Sequence, residues 1–215
     1  MTGTKRADKR IRIAVMVSGG GTNLQALIDA EKSGVIKSGH IVLVISNNPD
    51  AFAITRAAAA GINTVTVVKK NGDQKRFEEE ILKTLARAKI EMIILAGFMS
   101  ILSADFVSRY PDRIINIHPS LIPSFCGKGM YGIHVHEAAL AYGVKVSGAT
   151  VHYVNEIPDG GRIILQKSVR IRQDDTPESL QQRIMKQAEW DILPRAAELV
   201  SKKLMNTAYQ QKRSI

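Results

Sequence analysis

The chain has 215 residues, 45% of them hydrophobic and only 5% aromatic, and a formal net charge of +10. That length suits one domain with a full core, and its apolar runs, such as Met92-Ile93-Ile94-Leu95-Ala96, are far too short to cross a bilayer. Most of the excess charge sits in the two ends, Lys5 to Arg12 and Lys202 to Arg213, and not on a face interleaved with aromatics, so solvated tails fit better than a nucleic-acid groove.

In chain order, residues 1–10 read as a disordered basic arm, 11–205 as one domain and 206–215 as a mobile tail. The N-terminus lacks the apolar core of a secretory signal, and the lone Cys126 excludes an intrachain disulfide and suits a reducing cytoplasm. Ile11–Val17 alternate as a first strand, the Ser18-Gly19-Gly20-Gly21-Thr22 loop follows, and a helical pattern runs from Asn23. Ile41–Ile45 read as a buried parallel strand, followed by an alanine-rich helix ending at Gly61. Val65–Val68 form a third strand, Phe77, Ile81, Leu82 and Leu85 an amphipathic helix, and Met92–Ala96 a fourth strand. A short helix near Ala104–Arg109 leads to a fifth strand beginning at Ile114. Such alternation predicts an α/β fold with a mostly parallel sheet flanked by helices. Beyond Pro123 come a Gly-bearing loop over 124–133 and a helix over Glu137–Tyr142. Ala149–Val154 and Ile163–Ile171 read as an antiparallel C-terminal addition. Thr176 caps a long final helix with Pro177 at its first position.

Three segments carry candidate chemistry. In Ile115-Asn116-Ile117-His118-Pro119, strand periodicity puts Asn116 and His118 on one face. Pro119 ends the strand, so an amide and an imidazole sit together at its carboxyl end, where open α/β sheets place ligands. The amide suits a developing oxyanion and the imidazole proton transfer. A buried His118 satisfied by a loop carbonyl fits the stretch equally. The glycine loop lacks the dinucleotide spacing and the lysine of a Walker loop. It suits one phosphate monoester, held by Gly20, Gly21, Thr22 and Asn23 at a helix start, although a plain tight turn has the same composition. Asp159, in Pro-Asp-Gly-Gly, reads locally as a turn residue bonding its own backbone; placed beside His118 it would raise the imidazole pKa. His118, His134 and His136 as metal ligands, or Cys126 as a nucleophile, are weaker readings, lacking an accompanying carboxylate and a partner base respectively.

Taken together, Val17-Ser18-Gly19-Gly20-Gly21-Thr22-Asn23-Leu24-Gln25, Ala96-Gly97-Phe98-Met99, Asn116-Ile117-His118-Pro119-Ser120-Leu121 and Asp159-Gly160-Gly161 resemble the folate-dependent phosphoribosylglycinamide formyltransferases, in order and over roughly residues 11–200. The resemblance implies a Rossmann-like formyltransferase fold. It also implies formyl transfer from 10-formyltetrahydrofolate to the amine of N1-(5-phosphoribosyl)glycinamide in purine synthesis, with no metal. By motif, Asn116, His118 and Asp159 would be the catalytic set, and Gly21, Thr22, Asn23 and Glu189 would hold the phosphoribosyl substrate. Met99, Ser100, Ile101 and Leu102, with Asn116 and with Asn155, Glu156, Ile157, Pro158 and Asp159, would frame the folate. The resemblance further implies a cytoplasmic monomer or homodimer serving small-molecule substrates, without nucleic acid or membrane. A methionyl-tRNA formyltransferase would be expected to carry a further C-terminal domain, and a formyltetrahydrofolate hydrolase an N-terminal regulatory one. A non-catalytic nucleotide- or RNA-binding protein would leave Asn116, His118 and Asp159 unexplained.

Overall fold

A computed structural model describes residues 10–213. A seven-stranded sheet, ordered β3-β2-β1-β4-β5-β6-β7, forms its centre. Strands β1 (Ile11–Val17), β2 (Gly39–Ser46), β3 (Asn63–Thr66), β4 (Met92–Leu95) and β5 (Ile114–His118) are parallel, whereas β6 (Val146–Tyr153) and β7 (Ile163–Arg170) add antiparallel. The parallel strands alternate with α1 (Thr22–Lys32), α2 (Phe52–Ala59), α3 (Gln74–Arg87) and α4 (Ala104–Ser108), and α5 (His134–Tyr142) precedes β6.

Both faces of the sheet are covered, which explains the near-continuous apolar strands. Ile13, Val15 and Val17 join the core beneath α1 and the C-terminal helices, while Ala14 and Met16, pointing the other way, join Phe77, Ile81 and Phe106 beneath α3 and α4. Each fully buried Ile or Leu contributes about 1.5–3 kcal/mol. Exposed pairs such as Arg109–Asp105 contribute about 0–1 kcal/mol, so apolar burial holds the layers together.

Several boundaries differ from the sequence reading. The third strand occupies Asn63–Thr66, two residues earlier than predicted, because its register with β2 pairs Leu43 with Asn63. Thr176 does cap α6 (Pro177–Ile184), through a capping box with Ser179 and with Pro177 in its first turn. The long helix predicted beyond it is interrupted by a π turn, Met185–Glu189, before α7 (Trp190–Arg213). Pro194 inside α7 has no N–H to give the Trp190 carbonyl. The tail predicted at 206–215 is helical through Arg213, and 214–215 lie outside the described residues. Residues 1–9 of the predicted arm also lie outside them, but Arg10 is described and its Nη1 donates to Glu31 Oε1 at 3.0 Å. No described helix is long and apolar enough to cross a membrane.

Candidate active site

Asn116 and His118 end β5 at the carboxyl edge of the parallel strands, and β6 runs beside them with Asn116 opposite His152 and His118 opposite Thr150. The Thr150 hydroxyl donates to Ser120 O at 2.6 Å and accepts from Ile122 N–H at 3.1 Å, fixing the turn that follows His118. Asp159 reaches the same place from the β6–β7 connection, with φ +55°. That left-handed conformation suits a turn Asp, but its carboxylate leaves the turn: Oδ2 accepts from Gly127 N–H at 2.8 Å. Gly161 lets the connection close, since a Cβ there would lie 1.7 Å from Tyr153 O. Thus the sequence-predicted trio does converge, although its members lie on separate segments.

The two carboxylate oxygens face two imidazoles. His118 Nδ1 lies 3.6 Å from Oδ2, and His152 Nε2 lies 3.5 Å from Oδ1. Each ring commits its other nitrogen to a backbone carbonyl: His118 Nε2 donates to Phe125 O at 2.8 Å, and His152 Nδ1 donates to Tyr153 O at 2.9 Å. These carbonyls fix the tautomers, because a carbonyl only accepts. In neutral His152, Nε2 is then an acceptor, and Asn116 Nδ2 donates to it at 3.2 Å. The same bond sets which end of the Asn116 amide is its donor.

Two opposing effects act on His118. Asp159 does favour the charged form of His118, but burial is the larger effect and holds the ring below its ordinary 6.5. Burial thus favours the neutral ring, whose proton sits on Nε2. Burial pushes Asp159 up, but the adjoining His152 and His118 rings and the Gly127 N–H outweigh that and leave it lowered. The charged form of Asp159 is therefore favoured. His118 thus meets a loop carbonyl through Nε2 and keeps Nδ1 toward Asp159.

A cavity of about 120 Å³ opens beside this group. Ser100, Ile101, Leu102, Asn155, Ile157 and Pro158 line it, with Asn116 and Asp159 among its polar groups. Met99 and Glu156, predicted with them, are not part of its wall, and Met99 is exposed. Phe98, Leu95, Val154 and His152 complete the lining and were missed by the sequence reading. The Met99 N–H donates to Ser18 Oγ at 2.8 Å and Asn47 Nδ2 to Ser100 Oγ at 2.9 Å, tying this wall to the ends of β1 and β2. Glu78 and Gln74 of α3 hold its far side, accepting from Ser103 N–H at 2.7 Å and donating to Ile101 O at 3.0 Å respectively.

The glycine loop lies at the start of α1. Gly21 has φ +71°, and a Cβ there would sit 2.6 Å from Ala53 Cβ, so both backbone and space require glycine. Thr22 Oγ1 donates to Met185 Sδ at 3.5 Å, and Asn23 Nδ2 donates to Glu189 Oε2 at 2.6 Å. The first and last residues of the π turn thereby meet successive residues of the loop. Glu189 is buried, and burial pushes its carboxyl up to about 7 against the lowering effect of Asn23. Arg56, on α2, joins this loop and was not singled out from the sequence.

The weaker candidates separate from the site or lose the chemistry assigned to them. His134 is exposed and pairs with Glu137 at 2.9 Å, whereas His136 is fully buried, and burial first, then the charge of His118, lowers its pKa to about 4. Among the described residues no group of His, Cys, Asp and Glu is arranged to hold a metal ion. Burial, and then the charge of Asp159, raises the Cys126 thiol pKa, which disfavours a thiolate nucleophile.

The formyl transferase family model matches residues 11–197. The phosphoribosylglycinamide formyltransferase of Escherichia coli (strain K12) is 40% identical over 82% of this chain and 81% of its own length. The chain belongs to the formyl transferases, within the phosphoribosylglycinamide formyltransferase family. A solved member of that family from Anaplasma phagocytophilum is 40% identical, with a TM-score of 0.81 over 90% of this chain and 88% of its own. A trifunctional purine biosynthetic protein of Drosophila melanogaster is 43% identical over 88% of this chain, and a chloroplastic family member of Arabidopsis thaliana is 36% identical over 85%. The chain spans only 14% of the former's length and 63% of the latter's. The TM-score shows that this chain shares the fold of that solved family member.

Proposed function

We propose that this formyl transferase moves a formyl group from 10-formyltetrahydrofolate to the amine of N1-(5-phosphoribosyl)glycinamide in purine synthesis. The observation that carries this reading is the meeting of Asn116, His118 and Asp159 at the polar end of a cavity whose other walls are largely apolar. A flat heterocycle such as a pterin fits apolar walls with backbone groups at one rim. The glycine loop, Asn23 and Glu189 would take the phosphate and ribose of the other substrate.

The substrate's neutral amine attacks the formyl carbon, forming one C–N bond as the bond to the folate nitrogen breaks. Negative charge develops on the formyl oxygen, where the second N–H of Asn116 Nδ2 can donate while the first stays on His152. The amine becomes acidic as it attacks, and its proton must reach the departing folate nitrogen. In this reading the Asp159 carboxylate accepts that proton, directly or through water, and His118 Nδ1, 3.6 Å away, shares it. Neither a metal nor a covalent enzyme intermediate enters this scheme. The reading extends to a cytoplasmic monomer or homodimer, a domain spanning 11–205 and no nucleic-acid partner.

The test is a formyl-transfer assay with purified protein. Loss of 10-formyltetrahydrofolate only when the glycinamide ribonucleotide is present is the expected result. Folate loss independent of that substrate would instead mark a hydrolase.

A further inference from the structure

Arg56 sits on α2, outside every motif of the chain, yet it grips the glycine loop. Positions 53 and 56 are one helical turn apart, and each takes a loop carbonyl. The Ala53 N–H donates to Gly19 O at 3.0 Å, and Arg56 Nε donates to Gly20 O at 2.9 Å. Within a trans peptide unit the C=O and N–H point in opposite directions. Drawing the Gly19 and Gly20 carbonyls toward α2 therefore turns the N–H groups of Gly20 and Gly21 away from it. Among the described residues none accepts either N–H. The next two, on Thr22 and Asn23, begin α1 and have no acceptor within the helix. Four consecutive donors are left for an anion, two of them oriented from α2.

The guanidinium is itself held in place. Its Nη1 donates to Gln25 Oε1 at 3.4 Å, and its carbon lies 5.0 Å from the centre of the Phe52 ring. It lines a cavity of about 160 Å³ with Thr22, Gln25, Ala26, Asp29 and Trp190. Asp29, the opposing charge there, accepts from Gln25 Nε2 at 3.0 Å.

We propose that Arg56 is a positioning residue for phosphate recognition: by holding the Gly20 carbonyl it aims the Gly21 N–H at the substrate phosphate, and its charge offsets that of the bound dianion. This rests on the functional reading above for the identity of the anion, but not for the loop geometry.

Two variants separate the roles. Arg56→Gln removes the charge and the Nε donor; Arg56→Lys keeps the charge but loses the planar fork. Formyl transfer gives KM for each substrate, and NMR titration compares ribose 5-phosphate with ribose. Arg56→Gln should raise KM for the phosphorylated substrate and weaken ribose 5-phosphate binding roughly ten- to hundredfold. Its kcat and folate KM should stay near parental, and Arg56→Lys should recover only part of the loss. Unchanged ribose 5-phosphate affinity in folded Arg56→Gln overturns the proposal, as does an equal loss for folate, or a parental protein that prefers ribose. If the parental protein transfers no formyl group while Arg56→Gln still loses ribose 5-phosphate, the functional reading fails and the positioning role stands.

Discussion

Asp159 Oδ2 stands 3.6 Å from His118 Nδ1, on the one ring nitrogen not already committed, since Nε2 donates to Phe125 O. A proton on Nδ1 would therefore face the carboxylate directly. Burial opposes that proton and Asp159 favours it, and the balance leaves His118 below 6.5.

Asp159→Asn removes the favourable charge and leaves the burial. His118 should then lose its proton at still lower pH than in the parent. Loss of the proton acceptor should reduce kcat by a factor on the order of 10²–10⁴. KM for the phosphorylated substrate should change less, because the phosphate loop lies elsewhere. Histidine NMR titration and a pH–rate profile, with circular dichroism for folding, check this. A folded variant with parental kcat and an unmoved His118 titration would break the coupling.

His152→Ala should release the Asn116 amide and expose one Asp159 oxygen to an unpaired environment. Removing a hydrogen bond that orients an oxyanion donor should lower kcat by about 10²-fold or more. Both KM values should remain near parental. Equal effects on KM and kcat would point to general distortion of β6 instead.

Glu189 supplies a pH test with a definite sign. Its folded pKa is raised to about 7 from an unfolded value of 4.5, so the folded protein holds the proton more tightly. Its contribution to stability is fully present below the unfolded pKa and is lost as pH rises through about 7. A carboxylate accepts hydroxyl hydrogen bonds better than a carboxylic acid, so affinity for the phosphoribosyl substrate should rise over the same interval. Glu189→Gln should flatten both trends and weaken that substrate by about tenfold or more. Thermal melts and KM across pH 5–9 (roughly two units either side of the pKa) check this. Weakened folate binding alone would remove Glu189 from the ribose site.

Gly21→Val meets Ala53 Cβ and Cα and a positive φ at once. Overpacking of this kind costs about 1–3 kcal/mol, and α2 must shift away from the loop. KM for the phosphorylated substrate should rise sharply while KM for folate stays near parental. A stable variant with both unchanged would remove the loop from the site.

Sequence by itself determined the alternation of strands and helices and the shared face of Asn116 and His118, whereas Asp159 read locally as a turn residue and joined them only through the family resemblance. The reason is that period two, glycine and proline are local signals. Asn116 and His118 share a face because they are two residues apart on one strand, whatever lies around them. Gly21 announces a backbone that only glycine adopts readily. Partnership and solvation had to wait for the tertiary structure. His152 reaches Asn116 only because β6 pairs antiparallel with β5 in one register, and Arg56 reaches Gly20 only because α2 packs against the loop. The π turn that brings Met185 and Glu189 to Thr22 and Asn23 has no period of its own in the sequence. Protonation follows the same division: residue type sets the reference pKa, but the lowered His118 and raised Glu189 are consequences of burial, which is set by everything that packs around them.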